Sequence, residues 1–142
     1  MLFIFTVLAF FLANVASSDL SRSTFSALPD DVLSAFEELN SYGGKLVWSD
    51  ELAEKALKHL KSPDSEKADL VIGEEITLPE DDSSPLGMGM KIYSAFSELF
   101  ETKGSEISNL PDGSKYGCNY ENSVENKGAV LKIVCLYNKN SH

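Results

Sequence analysis

The segment from Lys115 to Tyr137 constrains the fold more than any other stretch, because it has the pattern of a β-hairpin. Two runs rich in β-forming residues, Lys115 to Tyr120 and Ala129 to Tyr137, flank a polar segment. That segment ends in Asn126 to Gly128, which suits the geometry of a tight turn. The sequence therefore predicts an antiparallel pair of strands here.

Two cysteines set the register of this hairpin. If Cys118 lies directly opposite Cys135, the neighbouring cross-strand pairs are Tyr116 with Tyr137 and Tyr120 with Ile133. Side chains alternate along a strand, so the cysteine face also carries an uncharged set: Tyr116, Tyr120, Leu131, Ile133 and Tyr137. The other face of the longer strand is interrupted only by Lys132 and otherwise shows Val130, Val134 and Leu136. Both faces therefore need cover, which helices would supply.

Two amphipathic helices are predicted before the hairpin. The first opens at Pro29 and is stopped by Gly43 and Gly44, and its apolar positions recur at helical spacing: Val32, Leu33, Phe36 and Leu39. The second follows Ser49, a suitable N-cap, and ends before Pro63. Its apolar stripe consists of Leu52, Ala53, Ala56, Leu57 and Leu60.

A third helix is predicted from Met88 or Met90 to about Lys103, with Gly104 as its stop. Its strongly apolar stripe has two interpretations, a packed core or a groove that accepts a ligand. The candidate groove residues are Ile92, Tyr93, Phe96 and Phe100. The core interpretation is the simpler one, because a domain of this size needs such residues inside.

These elements predict the fold class. Ala68 to Ile72 is a short candidate strand that continues into Gly73 to Ile76, and Pro79 to Pro85 is predicted to be an acidic surface loop. With the hairpin this gives about three strands. The predicted fold is α+β, a three-layer α-β-α sandwich in which about three helices surround a small antiparallel sheet. A cystatin-like helix wrapped by a sheet is the structural alternative, but three long helices exceed what that fold carries.

The start of the chain has the pattern of a secretory signal peptide. An apolar run from Leu2 to Leu12 leads into small residues, and Asn14 ends it before the ~20 apolar residues that a membrane anchor needs. Cleavage after Ser18 divides the chain into a signal peptide (1–18), a flexible lead-in (19–28) and a folded domain (29–142). The protein is therefore predicted to be secreted and extracellular. In that setting two cysteines favour one disulfide, which stabilises the fold by about 3 kcal/mol in the chain-entropy model.

Charge and composition narrow the possible partners. The formal net charge is −10, and Arg22 is the only arginine, so nucleic acid is not an expected partner. The two histidines, His59 and His142, share no spacing motif and are expected to face solvent or lie at a helix end, not to bind metal. No later segment is apolar enough to span a membrane. The expected state is a monomer whose partner is an unknown extracellular protein or lipid.

Common catalytic arrangements are missing from the sequence. A Cys-His nucleophile needs a free thiolate, whereas both cysteines are expected in the disulfide. No G-x-S-x-G sequence is present. Glu74 and Glu75 form the one carboxylate pair worth inspecting for glycoside hydrolysis, and a structural role at the strand corner is the alternative.

Four segments of the chain match sequence motifs that occur together in one protein family. Tyr116 to Cys118 and Val134 to Tyr137 match a pair of GC and VCxY strands, which is the most specific part of the match. Leu46 to Ala56 matches L-x-W-D-x-x-L-A-x-x-A, and Gly73 to Ile76 partly matches a GEN motif. By these segments, in this order, the chain resembles the CAP superfamily, the secreted domain of cysteine-rich secretory proteins, venom antigens and plant pathogenesis-related proteins. The resemblance covers nearly all of the predicted mature chain.

The resemblance also identifies a cleft in which CAP proteins usually carry two histidines and two glutamates, a set that holds a divalent metal in some members. In this chain Leu39 and Gly104 stand at the two histidine positions, and Glu74 and Ala95 stand at the two glutamate positions. Only Glu74 retains a potential ligand, so the resemblance implies no metal site, no cofactor and no metal-dependent activity. The resemblance therefore implies that this chain is a short, divergent member of the CAP superfamily.

The leading functional hypothesis is a secreted, non-catalytic CAP-like domain that acts as an extracellular binding or interaction module. The resemblance supplies an alternative, because some CAP proteins bind sterols or fatty acids, and the groove residues of the third helix could accept an acyl chain. A hydrolase is disfavoured, since most of the cleft residues are replaced. The sequence does not identify the ligand.

Overall fold

The computed structural model describes residues 28–78, 87–125 and 128–140. The helices are α1 (Asp30–Leu39), α2 (Asp50–Lys61), α3 (Met88–Thr102) and α4 (Gly104–Ser108), with a 3-10 turn at Ser41–Gly43. The strands are β1 (Val47–Trp48), β2 (Leu70–Leu78), β3 (Lys115–Glu125) and β4 (Gly128–Asn138). The predicted signal peptide, residues 19–27 of the lead-in, the whole of the acidic loop (79–85), the hairpin tip and His142 lie outside the described residues.

The hairpin has the predicted register. Cys118 is paired with Cys135, and the neighbouring pairs are Tyr116 with Tyr137 and Tyr120 with Ile133. The two cysteines form a disulfide across the strands, with their Cα atoms 4.0 Å apart. Both strands are longer than predicted, because β3 continues through the polar residues up to Glu125. The disulfide-linked hairpin is thus confirmed.

The hairpin lies in a four-stranded sheet with the order β1-β3-β4-β2. β2 is antiparallel to β4 along its whole length, from Leu70 to Leu78. β1 is parallel to β3, so the sheet is mixed, and this parallel pair was not predicted. A strand of two residues is too short to show an alternating pattern, which is why the sequence did not reveal it.

Helices cover both faces of the sheet, which confirms the α+β class and the three-layer order. On one face α2 places Leu52 and Ala56 against Val134 and Leu136 of β4. On the other face α1, α3 and α4 enclose the main core, whose fully buried side chains include Phe36, Ile92, Phe96, Phe100, Ile107, Ile133 and Tyr137. In α1, α2 and α3 most of the buried residues belong to the predicted apolar stripes.

Local signals explain where the helices begin. The Pro29 carbonyl accepts hydrogen bonds from the backbone N–H groups of Val32 and Leu33, both at 3.0 Å. The Ser49 hydroxyl accepts the Leu52 N–H at 3.2 Å, which confirms Ser49 as the N-cap of α2. The sequence did not predict α4, because its five residues are too few to show a helical period.

Gly117 of β3 lies where α2 crosses the sheet at very short range. A Cβ atom at this position would lie 2.2 Å from the Ala53 backbone nitrogen and 2.6 Å from both the Leu52 carbonyl carbon and the Ser49 oxygen. Only a residue without a side chain fits between the strand and the helix. The two neighbouring residues thus have roles on opposite faces of the sheet. Gly117 leaves space for α2 on one face, and Cys118 forms the disulfide with Cys135 of β4 on the other face.

A buried polar network joins the end of α1 to the hairpin. Asn40 is 4% exposed, and its side-chain amide donates to the Phe36 carbonyl at 2.9 Å. The same nitrogen lies 3.6 Å from Sγ of Cys118 and 3.8 Å from Sγ of Cys135. The amide oxygen accepts a hydrogen bond from the Tyr137 hydroxyl. Every polar atom of the Asn40 side chain thus has a partner, as burial requires.

An aromatic row extends from this network across three strands. The Tyr137 ring stacks on Tyr116 with centroids 6.2 Å apart, and Tyr116 meets Trp48 edge to face at 5.2 Å. The Trp48 indole N–H donates to the Asp50 carboxylate at 2.9 Å, which ties β1 to the first turn of α2. The row holds the short parallel strand β1 in place.

We expect the stability of the domain to fall at alkaline pH because of this row. Burial, and secondarily the charge of Glu37, raises the pKa of Tyr116 to about 12 from an ordinary value of about 10. Burial also raises the pKa of Tyr137, although the bond to Asn40 opposes the shift. Since the folded pKa exceeds the unfolded one, this stability is complete below pH 10 and is lost as pH rises towards 12.

The measurement is denaturant unfolding at a series of pH values from 8 to 11, together with tyrosine absorbance titration. Tyr116→Phe should flatten the decline, because its ring has no ionisable hydroxyl. If all five tyrosines of the folded protein ionised together near pH 10, the described burial of the row would be incorrect.

Candidate functional site

The positions that resemble the CAP cleft are mostly occupied by apolar packing. Leu39 is 2% exposed and belongs to the main core. Gly104 is buried beneath Tyr42, whose ring carbon Cδ1 would lie 3.1 Å from a Cβ atom there. Ala95 is partly buried against the same core. Of the four positions only Glu74, on β2, presents an exposed polar side chain.

Glu74 borders an open cleft of about 430 Å³ between the end of α2 and the sheet. α2 and the residues after it contribute His59, Leu60 and Pro63, and the strands contribute Val71, Gly73, Glu74, Glu75, Lys132, Ile133 and Val134. The fold thus brings His59 to the same cleft as the two glutamates. The sequence did not predict this, because His59 lies on a different element and no local spacing connects it to β2.

The charges around the cleft are partly neutralised. Glu75 and Lys132 are directly opposite each other on β2 and β4, and their charged groups are 3.5 Å apart. Glu74 is opposite the apolar Ile133 and makes no ion pair within the described ranges. The Nδ1 atom of His59 is buried without a hydrogen-bond partner among those residues. Of the two glutamates that border the cleft, Glu75 is thus paired and Glu74 is unpaired among the described residues.

The two glutamates are not arranged as a catalytic pair. Adjacent residues of a strand point to opposite faces of the sheet, so Glu75 lies on the α2 side and Glu74 on the side of α1 and α3. Glycoside hydrolysis needs two carboxyl groups that flank one bond. Within residues 28–78, 87–125 and 128–140 no group of three or more His, Cys, Asp or Glu side chains could hold a metal ion.

The predicted groove residues of α3 are divided between the core and the surface. Ile92, Phe96 and Phe100 are fully buried, while Tyr93 is 38% exposed. Tyr93 lines a groove of about 550 Å³ between α1 and α3, together with Asp31, Ser34, Ala35, Glu38, Gly89 and Met90. Met90 is 53% exposed and was missed as a groove residue, because helical periodicity marks the buried side of a helix but not its rim.

None of the helices in the described part of the chain is long and apolar enough to cross a membrane.

Comparisons with known proteins identify the family. No curated protein matches this chain. A solved structure, that of a hookworm platelet inhibitor, is similar at 20% identity and a TM-score of 0.47, over 81% of this chain and 72% of that one. Residues 35–139 match the family described as ES15, the 15 kDa excretory/secretory protein. The chain therefore belongs to the ES15 family of excretory/secretory proteins, and so to proteins that are secreted from the organism.

Proposed function

We propose that this secreted protein is a CAP-like domain that acts without catalysis, as an extracellular binding module. The observation that carries the proposal is the content of the cleft. Leu39 and Gly104 occupy buried, apolar sites where CAP proteins usually carry histidines, and Ala95 replaces a glutamate. Because apolar residues fill most of the positions of the polar cleft, the site lacks the side chains that catalysis needs. Binding through the protein surface is then the simplest remaining function.

The geometry of β2 supports the same proposal. Glu74 and Glu75 face opposite sides of the sheet, and Glu75 is already paired with Lys132. A general acid and a base must reach the same substrate, which these side chains do not. The CAP-like assignment itself is supported by the α-β-α order and by the position of the Gly-Cys motif, whose two residues fit α2 on one face and the disulfide on the other.

A lipid or sterol carrier is the second candidate function, and the groove between α1 and α3 favours it. Met90 and Tyr93 expose apolar surface there beside Ala35, at a size that suits part of an acyl chain. Native mass spectrometry of the secreted protein would detect a retained lipid. Met90→Glu should then release it, because the substitution places a charge in the apolar part of the groove.

Calorimetric titration with zinc and a hydrolysis assay test the proposed function. We expect no stoichiometric micromolar zinc binding by the folded domain, because Glu74 has no convergent ligands among the described residues. We also expect no hydrolysis of ester, peptide or glycoside probes that depends on Glu74 or His59. Zinc binding that disappears in Glu74→Ala, or hydrolysis that disappears in Glu74→Gln or His59→Gln, would contradict the non-catalytic function.

A further inference from the structure

Strand β2 forms an edge of the sheet and is paired on one side only among the described strands. Its nine residues are in continuous register with β4, so its other side presents the unpaired backbone groups of an edge strand. Five of the nine residues are exposed, among them Val71 at 41%. Such an edge is a template for another extended chain.

We propose that this edge binds an extended segment of a partner protein that carries two consecutive basic residues, adding it to the sheet as a fifth strand. The inference rests on the proposed binding function and names the surface and the class of partner. Main-chain hydrogen bonds to β2 would hold the segment, and side chains of the strand and the adjoining cleft would select it.

The charges on β2 determine the chemistry of the partner. Glu74 and Glu75 are adjacent at the middle of the strand and lie on opposite faces. Two consecutive basic residues in a neighbouring strand have the same alternation, so each would lie beside one carboxylate. The basic residue next to Glu75 would join the existing pair with Lys132, and the other would neutralise Glu74, which is unpaired in the described structure.

The same charges disfavour a second copy of this chain as the occupant. An antiparallel pairing of two β2 strands about their centres would place glutamates of one copy opposite or diagonal to glutamates of the other. Like charges in cross-strand positions destabilise a sheet. The charges of this edge therefore favour a basic partner over a second copy of the chain.

The cleft beside β2 adds a preference for particular side chains. Val71, Gly73 and Glu75 share the α2 side of the strand, where His59 and Leu60 form the opposite wall of the cleft. Gly73 leaves space for a large side chain from an added strand, and Val71 provides an apolar neighbour. In an antiparallel segment the expected order is therefore two basic residues, a large aromatic or apolar residue, any residue, and an aliphatic residue.

The test is a titration of the isotope-labelled folded domain with a synthetic peptide whose centre is Lys-Arg-Tyr-Thr-Val, followed by NMR. We expect chemical-shift changes and slower hydrogen exchange at backbone amides between Val71 and Thr77. The double variant Glu74→Lys/Glu75→Lys should bind about tenfold more weakly or worse. A peptide with Glu-Glu in place of Lys-Arg, or one N-methylated at alternate residues, should not bind.

A matched control separates this site from general attraction to an acidic protein. Glu106→Lys/Asp112→Lys makes the same change in net charge at two exposed positions, and Asp112 lies near the opposite edge of the sheet, where Gly113 donates to the Lys45 carbonyl. This variant should bind the peptide within about twofold of the unmodified domain. Equal weakening by both double variants, or no change at the β2 amides, would overturn the edge-strand proposal. Neither result would contradict the proposed non-catalytic function, because the zinc titration and the hydrolysis assay test that function separately.

Discussion

Replacing Gly117 with alanine is expected to remove more than about 3 kcal/mol from the free energy of unfolding, enough to prevent stable folding of many domains. The introduced methyl group would overlap backbone atoms of α2 at 2.2 to 2.6 Å, including the Ala53 nitrogen. Backbone cannot rotate away as a flexible side chain can, so α2 would have to lift from β3. Urea denaturation followed by Trp48 fluorescence measures the loss, and the yield of secreted protein should fall with it.

Gly44→Ala is the matched control for this substitution. Gly44 has a φ of 60°, but its Cβ position has no atom within 4 Å, so alanine there meets only backbone strain. Its ψ of −95° lies outside the left-handed helical region, so the expected loss is about 1 to 3 kcal/mol. If Gly117→Ala were no more damaging than Gly44→Ala, the close contact between α2 and β3 would be wrong.

Asn40→Asp is expected to destabilise the domain at neutral pH by about 3 kcal/mol or more, although it changes the shape of the side chain very little. The substitution replaces an N–H donor with a carboxylate oxygen that faces the Phe36 carbonyl and the disulfide sulfur atoms. A negative charge would then lie at a site that is 4% exposed, where none of the side-chain partners of Asn40 in the described structure is a cation. Thermal and urea unfolding at pH 7 measure the effect.

The pH dependence of this variant has a definite sign. Burial raises the folded pKa of the introduced carboxyl group above its unfolded value of about 3.9, so folding favours the protonated form. The difference from the unmodified domain should therefore shrink as pH falls from 7 towards 4, because a protonated carboxyl can again donate to the Phe36 carbonyl. Asn122→Asp, at an exposed position of β3, should change stability by only about 0.5 kcal/mol. A penalty at Asn40 that is independent of pH would contradict the buried network.

Much of the fold could be predicted because the relevant signals are local. The periods of α1, α2 and α3 appear directly in their apolar residues, and Ser49 and Pro63 mark the limits of α2. The register of the hairpin followed from one pair, Cys118 with Cys135, because a shift of one residue would exchange the two faces. The elements that were missed, β1 and α4, are too short to show a period.

The candidate site was harder to predict, because its residues meet only through tertiary packing. His59 and Glu75 border one cleft although they belong to α2 and β2 and share no sequence motif. Periodicity showed that α3 has an apolar side, but it did not separate the buried Phe96 from the exposed Met90. Burial depends on how α1 crosses α3, and sequence spacing within a single helix does not contain that information.

The order of strands in the sheet has a consequence for the synthesis of the protein. Every strand pair includes β3 or β4, which come last along the described chain, and the outer pairs join Val47 with Lys115 and Leu70 with Tyr137. A polypeptide that enters the secretory route from its N-terminal side therefore cannot assemble any of this sheet until β3 has emerged. Until then α1, α2 and β2 expose apolar faces, which favours aggregation and is a reason for chaperones to bind. We expect the hairpin, closed by local pairing and a disulfide, to act as the nucleus on which the earlier segments dock.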